Sequence, residues 1–180
     1  MPRRSLPFDP IERAAAIWSR RYDDPAGTAV PAMAAVTSLM RAQQLLLATL
    51  DGLLKRYDLT FARYEALVLL SFSRTGYLPL RVMGERLMVH PTSVTNIVDR
   101  LSKQGLVELR PNPDDGRGKL AEITPAGREV VRRATGDLMA ADFGLAGYPS
   151  AELDDLFRLL RPLRLTSGDF IAPEPGSESS

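Results

Sequence analysis

Apolar residues recur along this chain at two spacings, and the switches between them lay out a fold. Ile11, Ala14, Ala15 and Trp18 share one helical face. Asp9-Pro10 ahead of them is a helix start, with aspartate as N-cap and proline at the first position. From Pro31 to about Tyr57 runs a continuous stripe in which Gln43 is the one polar member. At 1.5 Å per residue that helix is roughly 40 Å long. A helix of that length in a small chain needs partners all along it, so it reads as a scaffold reaching from a dimer interface to a second lobe. A long core helix in a monomer is the alternative. Thr60 is placed to cap a helix over Phe61 to Ser73, whose apolar members are Tyr64, Leu67, Val68 and Leu70. Leu78-Pro79-Leu80 reads as extended, because proline biases its predecessor away from helix.

Leu80 to Ile123 then combines both spacings. Two helices, Leu80 to Met88 and Pro91 to Gln104, flank a tight turn. Gly84 is the small residue that lets them cross, with Val94 and Ile97 ten and thirteen positions later. Val94, Ile97, Val98 and Leu101 form one apolar face. At 100° per residue, Thr92, Asn96, Asp99 and Lys103 fall on the opposite face, flanked by Ser93, Thr95 and Arg100. Short hydrogen-bonding side chains near a helix N-terminus are what a recognition helix presents to base edges and phosphates in a DNA major groove. A merely solvated face is the plain alternative for any single one of them.

The spacing next changes to two. Val107 and Leu109 alternate on one strand, and Ala121 and Ile123 on another. Between them lie two prolines, Pro111 and Pro113, that stiffen the approach. Gly116 and Gly118 are read as freeing the tip. Arg117 and Lys119 stand at or beside that tip, Arg110 stands at its base, and Asp115 is placed to orient Arg117. Arginine suits a narrow minor groove, where the potential is most negative. A helix, turn, helix and hairpin in this order is a winged helix-turn-helix. Beyond it, Thr124-Pro125 starts a helix toward Phe143, in which Gly127 and Gly136 are weak points. Ser150 is read as the cap of a last helix carrying Leu153, Leu156, Phe157 and Leu160, broken or kinked at Pro162.

Composition narrows the chemistry. The 180 residues include no cysteine and one histidine, His90. Disulfides, thiol chemistry and multi-histidine metal sites are therefore excluded, and no cofactor is expected. With a net charge of +1, DNA affinity must come from a local patch. Seven basic and five acidic side chains fall between Leu80 and Leu120, and a dimer doubles the phosphate contacts. No apolar run approaches the roughly 18 residues of a membrane span. Nor does the start resemble a signal peptide, since Glu12 and Arg13 interrupt it. A cytoplasmic protein is expected, and no motif points to an enzyme.

These residues resemble the MarR family of bacterial regulators, over roughly Leu59 to Val131. The likeness is carried by Val94-Thr95-Asn96-Ile97-Val98-Asp99-Arg100-Leu101, by Gly105-Leu106-Val107, by Asp115-Gly116-Arg117 and by Ile123-Thr124-Pro125-Ala126-Gly127. It implies a triangular homodimer built from N- and C-terminal helices. It also implies palindromic DNA sites with wings in the flanking minor grooves, and a ligand held between dimer helices and DNA lobe that weakens DNA binding. On it, Arg117 is the minor-groove arginine and Asp115 its positioning partner. His90 stands where the family often has a capping serine or threonine, and is read as a turn residue, a weaker cap or a phosphate contact. With a reference pKa near 6.5 it is also a candidate for pH-sensitive DNA affinity. Trp18 is similar to a tryptophan of the family's urate-responsive branch. However, Glu65 and Asn96 stand where that branch has an aspartate and an arginine, so urate is not implied. Trp18, Arg21, Tyr64 and Glu65 are carried as ligand-pocket candidates, with packing the alternative for Trp18.

The expectation is thus a mainly α, α+β chain. Its parts are a flexible start (1–8), N-terminal dimerisation helices (9–58), a DNA-binding domain (59–124), C-terminal dimerisation helices (125–170) and a disordered tail (171–180). The DNA-contacting set is His90, Thr92, Ser93, Thr95, Asn96 and Arg100 on the recognition helix, and Arg81, Arg110, Asp115, Arg117 and Lys119 on the wing and its flanks. Double-stranded DNA, a second copy and a small aromatic or acidic effector are the expected partners. A regulator without ligand, or a winged-helix module for protein partners, are the alternatives.

Overall fold

The computed structural model describes residues 5–172, apart from the side chain of Arg117. Most of the segments read as a mobile start and a disordered tail, 1–4 and 173–180, therefore lies outside the described residues. The chain divides into two compact units, Met1–Gly52 and Leu53–Ser180.

The first unit holds α1 (Pro10–Arg21) and most of α2 (Ala29–Leu54). The Asp9 carboxylate accepts from the backbone N–H of Ile11 at 2.7 Å and of Glu12 at 3.3 Å, so the expected cap forms. A second aspartate does the same for α2. Asp24 accepts from Thr28 N–H at 3.2 Å and Val30 N–H at 3.1 Å. These bonds, that from Val30 first, favour its ionised form and hold its pKa below the ordinary carboxylate value. The helix starts two residues before Pro31 and ends at Leu54, where Lys55–Tyr57 tighten into a 3₁₀ turn closed by Asp58 at φ 52°.

The second unit follows the predicted order, with one addition. α3 (Phe61–Phe72), α4 (Leu80–Leu87), α5 (Pro91–Lys103), α6 (Pro125–Ala140) and α7 (Ser150–Thr166) accompany β2 (Val107–Asn112) and β3 (Asp115–Ile123). The extended Tyr77–Pro79 is a strand, β1, and pairs antiparallel with β3 so that the order is β1-β3-β2. Tyr77 lies opposite Glu122, and Val107 opposite Ile123. The core gathers Leu67 and Leu70 of α3, Met83 of α4, Val94, Val98 and Leu101 of α5, Val107 and Ala121 of the sheet, and Ala134 and Leu138 of α6.

Three local features hold these elements. Thr124 Oγ1 accepts from Gly127 N–H at 3.0 Å, capping α6, and donates to the Gly105 carbonyl at 2.8 Å. Tyr57 donates to Asp137, which also pairs with Arg56, tying the turn after α2 to α6. Gln104 Nε2 donates to the Asp58 carbonyl at 2.8 Å and to its carboxylate at 2.6 Å, anchoring the end of α5.

Some expectations change. Ser150 is itself the first helical residue of α7, so Pro149 occupies the cap position and no side-chain cap forms. Pro162 does not break this helix, which continues to Thr166. Gly127 is a contact rather than a weak point. It is buried, and a Cβ there would meet the Leu106 carbonyl and come within 2.9 Å of Ile123 Cγ1.

Candidate nucleic-acid interface

The helix-turn-helix is built as its spacing requires. A Cβ on Gly84 would lie 3.2 Å from Val94 Cγ2 and 3.4 Å from the Val89 carbonyl oxygen, so a larger residue would push α4 away from α5. Met88 adopts φ 51° to close α4 and start the turn. His90 then caps α5, its Nδ1 accepting from Thr92 N–H at 3.3 Å. The cap among the readings of this histidine therefore forms. Pro91 follows at the first helical position, where it loses no hydrogen bond.

This start orients the rest of α5. Val94, Val98 and Leu101 are buried, and Ile97 is half-buried. Thr92, Ser93, Thr95, Asn96 and Arg100 are all exposed. Thr95 Oγ1 donates to the Pro91 carbonyl at 3.1 Å, so its proton is committed to its own helix and its lone pairs face outward. Asn96 offers both a donor and an acceptor, the pair that a bidentate contact to adenine needs.

The wing differs from its expectation. The turn is Pro113-Asp114, with Asp114 N–H donating to Asn112 Oδ1 at 3.2 Å. Asn112 pairs with Asp115, and Pro111 with Lys119. Gly116, Arg117 and Gly118 therefore bulge out of β3 rather than forming the tip, and Arg117 is the middle of that bulge. A Cβ on Gly118 would lie 2.7 Å from Asp115 Oδ2, so glycine makes room for the Asp115 carboxylate. The Arg117 side chain, and with it the Asp115–Arg117 pairing, lies outside the described residues. Arg110 pairs with Glu122 of β3.

A cleft of ≈ 500 Å³ brings together Arg81, Thr95, Asp115 and Lys119, between α5 and the wing. Arg81 is also hydrogen-bonded to Glu85 one turn on, at 2.5 Å. Arg100 lies elsewhere, beside Lys103, Asp58 and Arg63. Arg63 belongs to no earlier reading, since a lone arginine in the first turn of α3 carries no pattern.

The ligand-pocket candidates divide between the units. In the first, Trp18 packs on Tyr22 with ring centroids 5.0 Å apart, and Arg21 is exposed. In the second, Tyr64 is buried and hydrogen-bonded to Thr135, 3.0 Å away. Glu65 is exposed as a residue, yet partial burial of its carboxyl raises its pKa above the ordinary value. Among the described residues no cluster of metal-ligating side chains occurs, and no helix is long and apolar enough to cross a membrane.

Comparison with known proteins places this geometry. A family model described as MarR family matches residues 57–118. The HTH-type transcriptional repressor IacR of Pseudomonas putida is 29% identical over 114 residues, which cover 62% of this chain and 66% of that protein. The solved structure of Sco5413, a MarR family transcriptional regulator from Streptomyces coelicolor, is 62% identical with a TM-score of 0.75, over 79% of this chain and 99% of that one. Sco3205, a MarR family regulator from the same organism solved in complex with DNA, is 25% identical with a TM-score of 0.70, over 81% of this chain and 92% of that one. Each of the three is a regulator of transcription rather than an enzyme.

Proposed function

Because the chain belongs to the MarR family of DNA-binding transcriptional regulators, we propose that it binds a palindromic operator as a homodimer and represses transcription there, until a small aromatic or acidic ligand releases it. The observation that carries this reading is the division of α5 between a buried apolar face and an exposed hydrogen-bonding one. Thr92, Ser93 and Asn96 meet the bases of one half-site, and Arg117 at the wing bulge meets the adjacent minor groove. Pairing supports the palindrome. Val36 and Met40 of α2, and Phe157 and Leu159 of α7, are more than half exposed, an arrangement that costs free energy unless a second copy covers it. Twofold symmetry in the protein is then mirrored in the operator, with half-sites about one helical turn or a multiple of it apart. Repression follows the Pseudomonas putida relative, which is a repressor.

The test is selection of bound fragments from genomic DNA with the full chain. Recovery of an inverted repeat overlapping a promoter, protected on both halves, supports the proposal. Recovery of single asymmetric half-sites sinks the palindrome and the dimer together.

A further inference from the structure

The recognition face of α5 is bordered on two sides, and the borders differ in charge. On one side lies the cleft beside the wing, where, among the described residues, Arg81 and Lys119 stand against Asp99, Asp114 and Asp115. On the other lies a cleft of ≈ 550 Å³ between the end of α5 and the start of α3, lined by Arg63, Arg100, Lys103, Asp58 and Gln104. Three cations there stand against one carboxylate. In a chain whose net charge is only +1, this is the kind of local patch that DNA affinity requires.

The cations are available. The Asp58 carboxylate is turned to Gln104, accepting from its Nε2 at 2.6 Å. Among the described residues none of Arg63, Arg100 and Lys103 forms an ion pair. Arg63 is half-buried, and its Nε donates to Thr60 Oγ1 at 3.3 Å, which leaves its terminal nitrogens open. Arg100 and Lys103 are exposed. Helical geometry fixes where this patch meets DNA. At 100° per residue, Arg100 lies about 140° around α5 from Thr95, which lines the wing cleft, and Asn96 falls between them. At 1.5 Å per residue, Lys103 stands about 16 Å along the axis from Thr92. The major groove is roughly 12 Å wide. With Thr92 and Asn96 among the bases, Arg100 and Lys103 therefore reach the phosphate strand that borders the groove, away from the wing.

We infer that Arg63, Arg100 and Lys103 together grip a backbone phosphate of the DNA, on the border of the half-site opposite the wing. Arginine forks match phosphate oxygens, and Lys103 adds a point charge. Arg63 comes from α3, outside the helix-turn-helix itself, so the contact sets the angle of α5 in the groove without reading sequence. The clamp is one-sided, because the aspartates of the wing cleft repel a phosphate. This inference rests on the reading of Thr92, Ser93 and Asn96 as base contacts, and adds the device that holds them in register.

Ethylation interference with the full chain, on an operator fragment selected from genomic DNA, tests it together with titrations over a range of salt. For the wild type, ethylation of a phosphate on that border is expected to block binding. For Arg63→Gln and for Lys103→Gln the block at that phosphate is expected to vanish. Each variant is expected to bind about tenfold more weakly, and to reduce the slope of log K against log salt by about one unit, on the operator and on sonicated genomic DNA alike. Arg63→Lys keeps the charge and is expected to keep the slope. Lys103 is exposed, so Lys103→Gln keeps the fold and carries the test alone should Arg63→Gln unfold. An unchanged slope, a loss confined to the operator, or an interference map that still includes that phosphate overturns the clamp. Calorimetric titration with inorganic phosphate separates the sources of the anion. Saturable binding that Lys103→Gln removes, with the slope on DNA unchanged, makes the cleft a small-anion site and overturns the clamp. Asn96→Ala separates this inference from the reading beneath it. Base preference untouched by Asn96→Ala, with the phosphate still lost in the charge variants, keeps the clamp and removes the base reading. The converse result removes the clamp alone.

Discussion

Helices α5 and α7 are both amphipathic, yet their apolar faces meet different fates. α5 buries Val94, Val98 and Leu101 almost completely within its own chain. α7 is longer, at 17 residues, and buries none. Its Leu159 is 76% exposed, Phe157 60% and Leu163 55%. It also carries Pro162 in its interior, a residue that costs a helix about 3 kcal/mol or more. A helix with an interior proline and no buried residue lacks packing to hold it, and helical stability in proteins comes mostly from such packing. The difference teaches which exposed faces have a use. α5 presents polar groups outward because its apolar needs are met, and its outer face is free for DNA. α7 presents apolar groups outward within its own chain, and in the proposed homodimer a second copy covers them.

The largest effect that sharpens this contrast is in α5. Leu101→Ala removes a fully buried side chain and is expected to cost about 2–5 kcal/mol, read as a lower denaturant midpoint. The matching change in α7, Leu159→Glu, is expected to leave the fold by circular dichroism. By sedimentation it is expected to release particles of the single-chain mass, 19.8 kDa. If Leu159→Glu still sediments as a dimer, the α7 face is not the contact and the contrast between the helices loses its explanation.

The same contrast explains what was legible in the sequence. Where a residue's role depends on neighbours a few positions away, it could be read. Asp9 and Thr124 were recognisable as caps, and Gly84 as the crossing point opposite Val94, because a helix fixes those distances. Where the role depends on a distant segment, it could not. Leu78-Pro79-Leu80 read as extended, but the strand is Tyr77–Pro79, and its pairing with β3 joins residues some 45 positions apart, such as Tyr77 and Glu122. Gly127 read as a helix weakener because its propensity is local, whereas its closeness to the Leu106 carbonyl is tertiary. The wing glycines read as the tip because glycines favour turns. Pro113-Asp114 makes the turn instead, and the glycines serve the bulge around Arg117. In the candidate site, the outward face of α5 was legible from its period. Arg63 was not, since only the fold brings it beside Arg100 and Lys103.

Smaller effects probe how the free face of α5 and the wing divide the work. Asn96→Ala is expected to lose about 1–3 kcal/mol of preference at one base position, with little change in non-specific binding. A uniform loss on all sequences would mean that Asn96 reads only the backbone. Arg117→Ala is expected to weaken binding on every sequence and to reduce the slope of log K against log salt by about one unit. An unchanged slope would remove the wing from the interface.

The smallest effect concerns Glu65 on α3, next to the buried Tyr64. Partial burial raises its pKa in the folded chain above the ordinary value of 4.5. The folded state then holds this proton to higher pH than the unfolded one. Stability is fullest below the unfolded value and falls as pH rises through the folded value. At neutral pH the ionised carboxylate is therefore a mild burden on the fold. Glu65→Gln removes the charge and keeps the shape, so it is expected to raise the melting temperature slightly at pH 7. It should also flatten the fall in stability as pH rises through the folded value. The exposure of the residue keeps both changes small. A lower melting temperature for Glu65→Gln at pH 7 would mean that the carboxylate has a stabilising partner in the assembled protein. Glu65 would then belong with the faces that a second chain completes rather than with those that one chain satisfies alone.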